Sequence, residues 1–143
     1  MKLLLLATFL TMQLEGWDLL NDVRFKSEFS EELDVYVDIP TFGQKLQALD
    51  GKRVKIKGHY IPAELNDPNG IILSKFPYAA CFFCGGAGLE SVVEVHFSAP
   101  SRHFKPDEVI TVEGTLKLNR DDFEHLVFIL NDAKRMVWED REQ

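Results

Sequence analysis

The sequence predicts a mainly β protein: a small five-stranded antiparallel OB-like barrel with an N-terminal arm and one short helix. Three observations predict it. Short runs of residues alternate between apolar and polar, the period of half-buried strands. Clusters of Gly, Pro, Asn and Asp separate those runs. Between them stand no helical segments long enough to carry the crossovers of a parallel sheet. Another small five-stranded barrel and a short β-sandwich are the rival architectures.

The elements follow in order. Residues 1–13 place one basic residue, Lys2, ahead of the uncharged stretch 3–12, which is the pattern of a short signal peptide. The stretch ends at Gln13 and Glu15, well short of the roughly 20 apolar residues of a spanning helix. Residues 14–50 form the arm and the short helix. From Trp17 to Val37 apolar and charged residues mix in neither a helical nor a strand period, so an arm wrapped on the domain is expected. After Pro40, Thr41 is placed to cap a helix carrying Phe42, Leu46 and Leu49, with Asp50 and Gly51 ending it.

Residues 51–138 form the barrel. Residues 52–61 alternate, with Val54, Ile56 and Tyr60 on one face and Arg53, Lys55, Lys57 and His59 on the other; this basic stripe reads as a solvated strand face. The turn signal at 66–70 precedes a short strand at 71–74, and Pro77 opens an irregular loop. In 91–97, Val93, Val95 and Phe97 face one way and Val92, Glu94 and His96 the other. Pro100 and Pro106 bracket a basic connection to the clearest strand, 109–118, where Gly114 suits a bend or bulge. A fifth strand at 126–130 extends through 133–138, and 139–143 is an acidic tail.

The chain has 143 residues, 45% of them hydrophobic and 11% aromatic, enough for one domain with its own core. A net charge of −7 provides no positive field for polyanions, so nucleic acid is not an expected partner. Removing residues 1–13 takes away Lys2 and no acid, which makes the mature chain more acidic. Two cysteines allow one bridge at most, so the core must hold the fold.

Residues 49–62 (LDGKRVKIKGHYIP), 81–88 (CFFCGGAG) and 110–116 (ITVEGTL) resemble a group of small exported proteins from Bacteroidetes, within or near a bacterial domain family of unknown function. The likeness begins near Trp17 and covers nearly the whole mature chain; CFFCGG is its specific part, and Leu89 stands where a proline is expected. It implies an exported, OB-like protein whose wider relatives are encoded near transport components. It supplies no catalytic residues.

Cys81 and Cys84 carry the clearest chemistry. A pair at this spacing can bind a metal, close a small disulfide or exchange electrons with another thiol. Gly85, Gly86, Ala87 and Gly88 oppose the helix that lowers the thiol pKa in thioredoxin-like sites, and they favour a turn with amides aimed at sulfur. A zinc site would need further ligands, for which His96 and His59 are the candidates; His103 and His125 are the remaining histidines. Phe82 and Phe83 could stack a ligand or anchor a partner, with Gly85, Gly86 and Gly88 shaping the loop around them. The residues therefore point to a noncatalytic binding or accessory module of the periplasm or cell envelope, its link to transport implied by the resemblance. The 81–88 loop would meet a metal, a small ligand or an envelope protein. The alternatives are a thiol-disulfide oxidoreductase using Cys81 and Cys84, and a structural interaction domain braced by their disulfide.

Overall fold

The computed structural model describes residues 14–100 and 103–137; the signal-peptide pattern, Trp138 and the acidic tail lie outside the described residues. After a 3-10 turn at Trp17–Leu20 come strands β1 (Val23–Ser30) and β2 (Val35–Phe42), helix α1 (Gln44–Gln47), β3 (Arg53–Ile61) and β4 (Gly70–Ser74). Three 3-10 turns, Tyr78–Ala80, Phe82–Cys84 and Leu89–Ser91, lead into β5 (Val92–Phe97), β6 (Val109–Leu118) and β7 (Phe128–Met136).

Strands β3, β4, β5, β7 and β6 close into a barrel in that order. One seam departs from the antiparallel expectation: β5 runs parallel to β7, with Glu94 opposite Ile129 and Val95 opposite Leu130. The reason is parity. Directions cannot alternate all the way round a ring with an odd number of strands, so closing five strands forces at least one parallel seam. The interior is apolar by alternation, with Val54, Ile56, Leu73, Val93, Val95, Val112, Leu116, Phe128 and Leu130 each at most 1% exposed. Leu20 and Leu46 belong to the same core, and Phe42 lies 6.1 Å from Phe128 between ring centroids. Residues ahead of the barrel thus contribute to its core.

The predicted bend is present. The β6–β7 register shifts between Glu113 and Thr115, and a Cβ at Gly114 would stand only 2.9 Å from Leu130 Cβ. A larger residue would push the two strands apart at the bulge.

The arm takes a form the sequence did not signal. Residues 23–42 are a β1–β2 hairpin in a sheet of its own, with Val23 opposite Phe42 and Ser30 opposite Val35. Its base packs on the core through Val23 and Phe42, whereas Phe29, Leu33, Val35 and Tyr36 are exposed. Because neither face is buried along its length, neither acquires the apolar contrast by which a strand is read. Thr41 lies in β2 and does not cap α1; Gly43 occupies the N-cap. The helix amides are instead met from the hairpin base, where Asp22 Oδ2 accepts from Lys45 N at 3.0 Å and Leu46 N at 3.4 Å.

Candidate functional site

The outward row of β5 does not face water. Register places Ile61 opposite Ile72 and Ile72 opposite Glu94, so these side chains share the outer surface of the barrel with Val92. Segments before β4, before β5 and before β7 fold over that surface. They enclose a second apolar cluster of Ile61, Ile72, Cys81 and Val92, joined by Leu65, Phe82 and Leu126.

The 81–88 loop is built on this cluster. Lys75 N donates to Ser91 O at 2.8 Å and closes the neck of the loop, while Tyr78 N donates to Asp107 Oδ1 at 2.8 Å. Cys81 is a free thiol with 0% exposure. An attacking thiolate needs access to its target, and burial denies Cys81 that access here. Gly85 adopts φ 76°, and a Cβ at Gly86 would lie 2.7 Å from Ala80 O, so the glycines set the shape of the loop. Two of their amides bond to backbone oxygens: Gly85 N donates to Phe82 O at 2.9 Å and Gly86 N to Cys81 O at 3.1 Å. Gly88 O accepts from Ser91 Oγ at 2.6 Å and anchors the far end. Phe82 turns inward onto the cluster, and Phe83, its edge-to-face neighbour at 5.4 Å, is 48% exposed.

Two residues beyond Val92, the outer row changes from apolar to ionisable. Glu94 is 2% exposed. Its Oε1 lies 2.7 Å from His96 Nε2 and 2.7 Å from His125 Nδ1, and its Oε2 accepts from Leu126 N at 2.9 Å. On the far side of the His96 ring, Nδ1 lies 2.5 Å from Asp67 Oδ2. Leu126 joins the two regions, since its side chain packs into the cysteine cluster while its amide holds Glu94.

The electrostatics follow from these partners. Burial pushes the Glu94 carboxyl up, but the Leu126 amide and the two imidazoles outweigh it and hold the group below its ordinary value. The hydrogen bond from His96 lowers Asp67, helped by the Asn69 amide, and the hydrogen bond to Glu94 raises His125. One carboxylate oxygen and two imidazole nitrogens, all within 4.8 Å of one another, form a donor set that suits a divalent transition ion.

Of the residues singled out from sequence, His96 enters this group. His59 does not; its Nδ1 lies 3.2 Å from Asp107 O, beside the anchor of Tyr78. Cys81 is no part of the group either. Sequence reasoning missed Glu94, Asp67 and His125 as partners of His96. The signal for Glu94 was present, because it shares a strand face with His96 two residues on. Asp67 and His125 stand on irregular segments whose destinations no periodicity encodes.

No protein-family model matches the chain, and no curated protein matches it. Among solved structures it is similar to the crystal structure of a DUF3299 family protein from Pseudomonas aeruginosa PAO1, with 19% sequence identity over 70% of this chain and 69% of that chain and a TM-score of 0.47. No helix among the described residues is long and apolar enough to cross a membrane.

Proposed function

We propose that this protein is an exported, noncatalytic binding module of the cell envelope, accessory to a transport system, that meets an apolar segment of another envelope protein through the loop leading into β5. The observation that carries this reading is the set of three exposed aromatics on that loop. Phe76 is 38% exposed, Tyr78 49% and Phe83 48%, on a segment whose inward side is pinned by Cys81, Phe82 and the Asp107 anchor. Large aromatics held at the surface by a preorganised backbone bind at low entropic cost. Lys75, whose Nζ lies 5.7 Å from the Phe76 ring centroid, sets positive charge beside that ring and suits a partner segment carrying an acidic residue.

The test is a photo-crosslinking residue placed at Tyr78 in envelopes of the source cell. It should yield one discrete adduct that disappears when Phe76→Ser and Phe83→Ser are added, while the same probe at Lys26 on the hairpin yields none. An adduct that survives both serine changes, or none at all from position 78, removes the loop from the function. Export is checked separately by the mass of envelope-purified chain, which should lack residues up to a point between about 13 and 17. An intact chain confined to the cytoplasm contradicts it.

A further inference from the structure

We infer that Glu94, His96 and His125 form a divalent transition-metal site on the outer wall of the barrel, held by Glu94 Oε1, His96 Nε2 and His125 Nδ1. The inference does not rest on the partner-binding role of the aromatic loop.

Three features beyond proximity point to an ion. The first is the set itself: two imidazoles and one carboxylate leave further coordination positions for water, an arrangement found at three-ligand zinc sites and at other transition-metal centres. The second is the support behind two of the ligands. A metal-binding histidine ordinarily donates its other ring N–H to a carboxylate or carbonyl, and Asp67 Oδ2 stands 2.5 Å from His96 Nδ1, placed to accept it. The Glu94 carboxylate is braced in the same way, with Leu126 N on Oε2 at 2.9 Å, which leaves Oε1 directed at the two rings.

The third feature is spacing. His96 has a carboxylate oxygen within hydrogen-bond distance of each ring nitrogen, so Asp67 stands behind the ring while Nε2 faces Glu94 Oε1. At bond lengths of about 2.0–2.1 Å a tetrahedral ion holds its ligand atoms roughly 3.3 Å apart. The present 2.7 Å contacts from Glu94 Oε1 to the two rings need to open only slightly. The ion can arrive from solvent past His125, whose side chain is 38% exposed.

This ligand set differs from the cysteine-based one suggested by the sequence. It keeps His96, replaces sulfur with carboxylate and moves the ion from the loop to the strand that the loop covers. An ion there would clamp β5 to the segment before β7.

The test titrates Zn²⁺ into the chelator-treated mature chain, followed by calorimetry, element analysis and thermal melting. One zinc per chain and a raised Tm are expected. His125→Gln, a change at the most exposed of the three ligands, and His96→Gln should each lose at least about tenfold in affinity. Asp67→Asn should weaken binding about 10- to 100-fold while keeping the stoichiometry, as expected for a supporting carboxylate. Circular dichroism confirms that each variant is folded, and the conclusion is drawn from His125→Gln should the others not be. Cobalt substitution supplies an independent readout: visible d–d bands without a thiolate charge-transfer band mark nitrogen and oxygen ligands. The Cys81→Ser, Cys84→Ser double variant should bind like wild type. Failure of the wild-type chain to bind Zn²⁺ at 100 µM, wild-type affinity in folded His125→Gln, or a thiolate band in the cobalt form overturns the site.

Discussion

Along β5, Val93 and Val95 point into the barrel while Val92 and Glu94 point out of it, yet all four are at most 2% exposed. The two rows are removed from water by different means. The inner row meets side chains from the other barrel strands, and apolar contact of that kind is non-directional. The outer row is covered by connecting segments, and there an ionisable group survives because each carboxylate oxygen has a donor aimed at it. In this molecule the surface roofed by loops holds the ionisable group and the inner cluster is apolar, since the loops bring a backbone amide and a histidine from distant parts of the chain.

The largest expected effect separates the two sides directly. Val112→Asp puts an unpaired charge inside the barrel at a position with 0% exposure. That should cost several kcal/mol out of a total stability of roughly 5–15 and unfold the domain, as followed by circular dichroism. Glu113→Lys, one residue along and outward, disturbs a contact of 3.4 Å with Arg53 and should cost no more than about 1 kcal/mol. Equal damage from the two would abolish the distinction between inside and outside.

Glu94→Ala comes next. It removes the acceptor for His96, His125 and the Leu126 amide, and about 2–4 kcal/mol should be lost in urea unfolding of the metal-free chain. A loss under about 0.5 kcal/mol would mean that the outer row is not held by its carboxylate. Cys81→Ser tests the apolar half of the same roof, where a hydroxyl replaces sulfur in the cluster with Ile61, Ile72 and Val92. A cost of about 1–2 kcal/mol is expected, smaller than for Glu94→Ala because no ionic partners are stranded. A variant as stable as wild type would show the cluster to be loosely packed.

The smallest effect lies at Glu108, away from both rows. The Lys105 amide, assisted by Arg135, holds its carboxyl below the ordinary 4.5, with partner distances of 2.9 Å and 3.2 Å. A lowered carboxylate pKa stabilises the fold fully above the ordinary value, and the contribution is lost as pH falls through the lowered one. Wild type should therefore melt slightly above Glu108→Gln at pH 7, with the gap closing in acid below 4.5. A gap independent of pH would rule out ionisation as its source.

Alternation around Val54, Val93 and Val112 placed the barrel strands in the sequence because each has one face against the core and water or loops on the other. The turn at 66–70 and the bulge at Gly114 were legible for a related reason: few residues other than glycine tolerate close backbone approach at a bulge. The hairpin escaped notice because Phe29 and Tyr36, which face each other across it, are both exposed. Within the candidate metal site, His96 was legible as a candidate residue and Glu94 as its neighbour on the same face. The cysteine pair drew attention first because Cys-x-x-Cys is a local motif.

By itself the sequence determined which residues turn away from water within each short run, and where the chain must bend between runs. Those properties depend on neighbours two to four positions apart. Tertiary structure alone decided that β5 and β7 run parallel, because parity becomes a constraint only when the ring closes. It also decided that β5 has a roof, and that Asp67 and His125 meet it from 29 residues before His96 and 31 residues after Glu94. No local period spans such separations; the barrel brings those groups together when its strands pair and its connecting segments come to rest on the outer wall.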